Sequence, residues 1–140
     1  MKKLYKLLIY TVILVLICVC FAGCAGKATN NGSTAVYSED TELGTGSKTI
    51  NVDVIADGKT VTFTINTDKE TLGEALTEHN LISGEQGSYG MYVKVVNGIT
   101  ADYVVNQTYW SLSEDGEPLQ TGVDSTKISD GKHYEITLTK

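Results

Sequence analysis

Three cysteines, two histidines and eight tyrosines are the residues of this 140-residue chain with the most chemistry to offer. Cys24 follows a bulky residue and two small ones, Phe21-Ala22-Gly23, and lies just beyond a long apolar run. That spacing resembles a lipid-attachment motif, which implies acylation of the Cys24 sulfur after cleavage in front of it. Cys18 and Cys20 lie in the segment that cleavage would remove. No thiol would then remain for a disulfide, a nucleophile or a metal ligand, and an extracellular domain would rest on its core alone. His79 falls near the end of a predicted helix, where an imidazolium interacts well with the helix dipole. His133 follows a turn and is expected to be exposed. Ser, His and Asp all occur, but without a nucleophile-elbow pattern. Asp53, Asp57, Asp68 and Glu70 lack the one-three-five spacing of a calcium loop. Glu114, Asp115 and Glu117 read as a solvated turn. Phosphate-binding and dinucleotide glycine patterns are absent from the sequence. Neither an enzyme nor a metal site is expected.

The aromatic residues point elsewhere. Tyr89, Tyr92, Tyr103, Tyr109 and Tyr134 gather in the second half of the chain with Trp110. A tyrosine ring offers a large apolar body with one polar tip, which suits either a binding surface or a small core. Strand alternation assigns Trp110 and Tyr134 to the core. Tyr89 stands in a glycine-rich stretch and is expected at the surface, as a ligand contact together with Tyr92.

Residues 1–23 are expected to be a targeting segment. Lys2, Lys3 and Lys6 precede the apolar run from Leu7 to Ala22. The run approaches the length of a membrane-spanning helix, yet the small residues before Cys24 and the polar tail after it favour cleavage. Phe21-Ala22-Gly23-Cys24 resembles a bacterial lipobox, with Phe21 where leucine is more common. Each buried methylene of a lipid contributes about 0.8 kcal/mol, so two or more acyl chains give stable anchoring. The expected location is the extracellular face of the cell membrane, reached through the lipid on Cys24.

Residues 24–47 then read as the lipidated cysteine and a flexible linker, with an r.m.s. span of about 25 Å. Removal of the three leading lysines leaves 8 basic against 17 acidic residues. So acidic a surface argues against nucleic acid and against spreading on anionic lipid. Every basic residue is Lys, a composition bias that points to an AT-rich genome and a low-GC Gram-positive source.

Residues 48–140 form the expected domain. Ile50, Val52 and Val54 alternate with polar neighbours, Asp57-Gly58 makes a turn, and Val61, Phe63 and Ile65 alternate again. This predicts a hairpin with one buried face. Thr71-Leu72-Gly73-Glu74 has capping-box spacing and opens a short helix with Leu72, Ala75 and Leu76 on one face. Gly73 is expected to cost this helix about 1 kcal/mol relative to alanine. Ser83 to Gly90 reads as a loop. Met91, Val93 and Val95 form a strand before the turn Asn97-Gly98. Tyr109 to Ser113, a turn at Asp115-Gly116, the edge residue Pro118, a bulge or close approach at Gly122, a turn at Asp130-Gly131 and a closing strand through Tyr134, Ile136 and Leu138 complete the pattern. Hairpin, helix and further strands predict an α+β fold.

The order Tyr109-Trp110-x-Leu112, then Asp115-Gly116-x-Pro118-Leu119-x-x-Gly122, then Asp130-Gly131 before a terminal strand resembles the C-terminal β-domain of the transcobalamin and intrinsic factor family. It also resembles bacterial secreted domains of unknown function described as transcobalamin-like. The resemblance covers residues 48–139. It implies a β-grasp-like, mostly antiparallel sheet with one short helix across it. It also implies cobalamin or another corrinoid as a non-covalent ligand, captured for an uptake transporter. Leu119, Gln120, Thr121 and Gly122 match the part of the family's motif that lies against the corrinoid. In the vertebrate carriers the ligand lies between this domain and a helical barrel. The competing expectation is a cell-surface interaction or adhesion module without a small-molecule ligand.

Overall fold

The computed structural model describes residues 34–140. The expected targeting segment, Cys24 and the first part of the expected linker lie outside the described residues. Alternation of apolar and polar residues builds the centre of the fold. Strand β2 (Lys48–Ala56) pairs antiparallel with β3 (Lys59–Thr67), so that Ile50 faces Ile65, Val52 faces Phe63 and Val54 faces Val61. All six side chains are buried. The Asp57-Gly58 turn closes the hairpin with both residues at positive φ, as a two-residue hairpin of matching twist requires.

The other edge of β2 is taken by the last strand of the chain. β9 (His133–Thr139) runs parallel to β2, with Val52 beside Tyr134 and Val54 beside Ile136. β7 (Tyr109–Glu114) pairs antiparallel with β9, and the short β8 (Glu117–Pro118) closes that edge. A first strand, β1 (Thr41–Leu43), runs parallel to β3 on the far side. The sheet order is β1-β3-β2-β9-β7-β8. The sheet is mostly antiparallel, as expected, but mixed: three of its five pairings are antiparallel and two are parallel. A parallel neighbour needs a long crossover, and the whole stretch between β3 and β9 supplies it.

That crossover holds helix α1 (Leu72–Glu78), a second sheet of β4 (Ile82–Gly87), β5 (Gly90–Val96) and β6 (Ile99–Thr100), and a short helix α2 (Tyr103–Asn106). Over the described residues the fold is α+β and strand-rich, with two helices and two sheets where one of each was expected. In α1 the Thr71 hydroxyl accepts from the Glu74 N–H, and the Glu74 carboxylate accepts from the Thr71 and Glu70 N–H groups. These donors hold the Glu74 carboxyl below its ordinary range, the Thr71 N–H foremost. Leu72, Ala75 and Leu76 are buried as the spacing predicts.

The expected loop at Ser83 to Gly90 is instead mostly strand. β4 pairs with β5 across a register shift at Ser83/Gly84. Its residues after Ile82 are exposed, so backbone hydrogen bonding rather than apolar alternation makes the strand, and alternation could not reveal it. A Cβ on Gly84 would lie 2.0 Å from the Tyr92 carbonyl oxygen, which explains the glycine at the bulge.

The expected linker is likewise structured over its described part. The Tyr37 ring meets Phe63 edge-on, with centroids 5.5 Å apart. Asn97, 2% exposed, accepts from the Tyr37 N–H at 2.8 Å and donates to the Tyr37 carbonyl at 2.9 Å. The Val36 N–H donates to the Asn97 carbonyl. This strap and β1 belong to the domain. Polar composition marked 34–47 as linker, but one tyrosine and a backbone pairing were enough to dock it.

Tyr134, Ile136, Trp110 and Val123 join the hairpin residues in one core, and the Trp110 indole donates to the Lys94 carbonyl. On the opposite face of the large sheet His133 is half-buried rather than exposed, 3.1 Å from Asp53 Oδ2. The neighbouring strand β2 brings that carboxylate beside it. His79 does cap α1, but its Nε2 is buried without a hydrogen-bond partner among the described residues.

Candidate functional site

Two turn-forming segments meet beside α1. One is Ser88-Tyr89 with Gly90, the tip of the β4–β5 hairpin. The other is the stretch from Gln120 to Ser125 that follows β8. Between them lies an open cleft of about 550 Å³, lined by Ser88, Tyr89, Gly90, Gln120, Thr121, Gly122 and Ser125.

The second wall is built by local hydrogen bonds. The Ser125 and Thr126 N–H groups and the Thr126 hydroxyl all donate to the Gly122 carbonyl, at 3.0, 3.1 and 3.0 Å. The Thr121 and Thr126 hydroxyls are 3.0 Å apart. Val123, fully buried, anchors this turn to the core. The first turn of α1 secures it further: the Leu72 N–H donates to the Thr126 carbonyl and the Gly73 N–H to the Val123 carbonyl, both at 2.9 Å. Those are helix N-terminal donors that would otherwise lack partners. Gly73 has a structural reason to be glycine. A Cβ there would sit 2.6 Å from Asp124 Oδ1 and 3.2 Å from the Val123 carbonyl carbon.

The first wall carries the exposed aromatic. Tyr89 is 96% exposed, standing on a hairpin tip where nothing packs over it. The lining consists of hydroxyl, amide and backbone groups with this one aromatic ring, and no charged side chain takes part. Such a surface suits a neutral ligand with an apolar face and a polar rim.

Four of the residues singled out from the sequence line the cleft: Tyr89, Gln120, Thr121 and Gly122. Two do not. Leu119 is half-buried and packs on the core, its N–H donating to the Leu112 carbonyl. Tyr92 is exposed on β5, outside the lining. Gly122 is neither a bulge nor a close approach, since a Cβ there would find only the Tyr89 carbonyl oxygen at 3.5 Å. Ser88, Gly90 and Ser125 were missed. Their signal was their place in the same turn-forming segments as Tyr89 and Gly122.

Two other features stand apart. A smaller cavity of about 220 Å³ lies under the strap near the β2–β3 turn, walled by Tyr37, Val54, Ala56, Val61 and Ile99 among others. Helix α2 exposes Tyr103, Val104 and Val105, with Val104 93% exposed. Among the described residues no group of three His, Cys, Asp or Glu side chains is placed to hold a metal ion.

The chain is 34% identical to human transcobalamin-1 over 56 residues, which cover 40% of this chain and 13% of that protein. Among solved structures it is similar to a Ruminococcus gnavus protein described as a candidate metal-binding protein. That likeness has 39% identity and a TM-score of 0.64, over 67% of this chain and 98% of that one. Haptocorrin, solved in complex with Cbi, shares the fold with a TM-score of 0.57 and 22% identity, over 70% of this chain and 26% of haptocorrin. The chain thus spans about a quarter or less of transcobalamin-1 and of haptocorrin. With a family match over residues 69–140, about half of its length, the chain belongs to the family described as a domain of unknown function, DUF4430, a transcobalamin-like domain family.

Proposed function

We propose that the domain captures a corrinoid, cobalamin or cobinamide, in the cleft between Tyr89 and the Gln120 to Ser125 turn. The observation that carries this reading is the chemistry of the lining: one exposed aromatic ring among uncharged hydroxyl and amide groups. A corrinoid presents a broad apolar face ringed with amides, which this surface complements. The likeness to haptocorrin in complex with Cbi and the identity to transcobalamin-1 support it. The chain spans only 26% of haptocorrin, so one wall of a clamp is the fitting comparison. Burial of a few hundred Å² at about 25 cal/mol per Å² gives several kcal/mol before association costs, so binding no tighter than about micromolar is expected. Binding, not catalysis, is the reading. The sheet itself is read as β-grasp-like, from a hairpin followed by a helix and a last strand parallel to the first strand of that hairpin.

Equilibrium dialysis of cobinamide against residues 34–140 tests the capture reading. Micromolar retention is expected, weakened about five- to tenfold by Tyr89→Ala, as the loss of one aromatic contact of about 1 kcal/mol implies. Thr62→Ala, on the opposite face of the hairpin, should leave it unchanged. Absence of retention at several hundred micromolar protein, on the order of ten times the weak end of the estimate, would remove the reading.

The capture reading places the domain outside the cell, held by lipid on Cys24 and delivering its ligand to an uptake transporter. The spacing Phe21-Ala22-Gly23-Cys24 supports the anchor. Cys24→Ser should leave an uncleaved precursor, and the wild-type N-terminal peptide should carry the mass of its acyl chains. An unmodified wild-type Cys24 by mass spectrometry would exclude the anchor.

A second reading, a protein-interaction module, is favoured by α2. Its three large apolar side chains are exposed, yet Asp102 caps the helix through the Val104 and Val105 N–H groups. A rigidly presented apolar tip suits a partner surface. This reading leads if cobinamide is not retained.

A further inference from the structure

The cleft has two walls from distant parts of the chain. The Ser88-Tyr89 tip ends a hairpin whose outer strand, β4, is exposed along nearly all its length. The Gln120 to Ser125 wall contains no strand or helix. One side chain joins them. Asp124 Oδ2 accepts from the Met91 N–H at 2.8 Å and from Gln86 Nε2 at 3.3 Å, so it grips the hairpin on both sides of its tip. β6 covers β5 only at Val95 and Val96, and Asp124 supplies the partner for the Met91 N–H.

The chain makes room for this carboxylate at two glycines. On Gly73 a Cβ would come within 2.6 Å of Asp124 Oδ1. On Gly90, at φ 101°, a Cβ would lie 3.1 Å from Oδ2. Helix α1, the hairpin tip and the second wall thus converge on one side chain that does not itself line the cleft.

We propose that Asp124 is the positioning residue of the cleft: its carboxylate ties the Tyr89 hairpin tip to the Gln120 to Ser125 wall and so sets the width between them. The ligand half of this inference rests on the corrinoid reading; the structural half does not. Without the carboxylate, the Met91 N–H loses its partner and the tip can swing away from the second wall. An asparagine keeps one oxygen for the Met91 N–H and should keep most of the tie.

The test uses the full chain in detergent micelles. Amide exchange is followed by NMR at Met91, and at Val52 and Phe63 in the core, alongside cobinamide dialysis. A hydrogen bond to a charged group is worth roughly a tenfold change in local opening. Asp124→Ala is expected to speed Met91 exchange about tenfold while leaving Val52 and Phe63 within about twofold, and to weaken cobinamide binding about fivefold or more. Asp124→Asn should stay within about threefold of wild type at Met91. Unchanged Met91 exchange in Asp124→Ala would overturn the proposal, as would equal acceleration at all three amides, which marks a general stabiliser. If wild type retains no cobinamide, the capture reading falls while the exchange data still decide the role of Asp124.

Discussion

A chain that begins at Lys48 should melt at least about 10 °C below one that begins at Thr34, a net loss of about 2–4 kcal/mol for a domain of this size. The strap and β1 make several contacts that nothing else can replace. Tyr37 lays its ring edge-on against Phe63, an aromatic pair worth about 0.5–1.5 kcal/mol beyond the area it covers. Asn97 is buried with its amide satisfied on both sides by the Tyr37 backbone. Removal of that backbone takes away both hydrogen bonds, each worth about 1 kcal/mol net. β1 covers the outer edge of β3, and the Asp40 carboxylate accepts from the Thr62 N–H at 2.8 Å. The conformational entropy of ordering the strap offsets part of these gains, which is why the net figure is below their sum. Thermal unfolding of the two chains by circular dichroism measures the difference. Coincident melting curves would show that residues 34–47 are the passive linker their composition suggests.

Gly73→Ala should destabilise the protein by about 1–3 kcal/mol, the cost of forcing atoms into a filled space. Helix propensity alone gives the opposite sign, since alanine gains about 1 kcal/mol over glycine in a helix. The added methyl would meet Asp124 Oδ1 at 2.6 Å, and the Val123 carbonyl carbon and Asp124 N at 3.2 and 3.3 Å. The carboxylate can rotate away, but only by giving up the Met91 and Gln86 contacts. The backbone atoms can yield only if the Gly73 N–H to Val123 bond lengthens. Urea unfolding gives the sign directly, and a variant more stable than wild type would show that the turn has room to retreat.

The fate of Gly73 shows where local reading stops. Its helical position, its capping box and the buried face of Leu72, Ala75 and Leu76 were all legible from residues three and four apart. The reason for the glycine was not, because Val123 and Asp124 lie some fifty positions further along the chain. The same holds at Asn97, which reads as half of a turn and is one, with Asn97 and Gly98 both at positive φ. That its amide also binds the Tyr37 backbone depends on a strap with almost no apolar pattern of its own.

The sequence by itself determined the elements whose information is short-ranged: the alternating strands β2, β3, β7 and β9, the existence of β5 (though its buried valines are Val93 and Val96, not Val93 and Val95), the turns at Asp57-Gly58, Asn97-Gly98, Asp115-Gly116 and Asp130-Gly131, and the cap of α1. Period-two burial and positive-φ turn residues are local physical requirements, so they leave local marks. It also marked Tyr89 and the Gln120 to Gly122 stretch, through an aromatic in a glycine-rich segment and a family-like motif. Only the tertiary structure decided that β4 is a strand, that 34–47 belongs to the domain, that His133 lies beside Asp53, and that Leu119 turns to the core while Ser88 and Ser125 join the cleft. Each of these depends on what packs or pairs across a long sequence separation. A backbone hydrogen bond between strands is nearly blind to side-chain type, and a cleft between two loops is defined by their separation in space, which no spacing along the chain encodes.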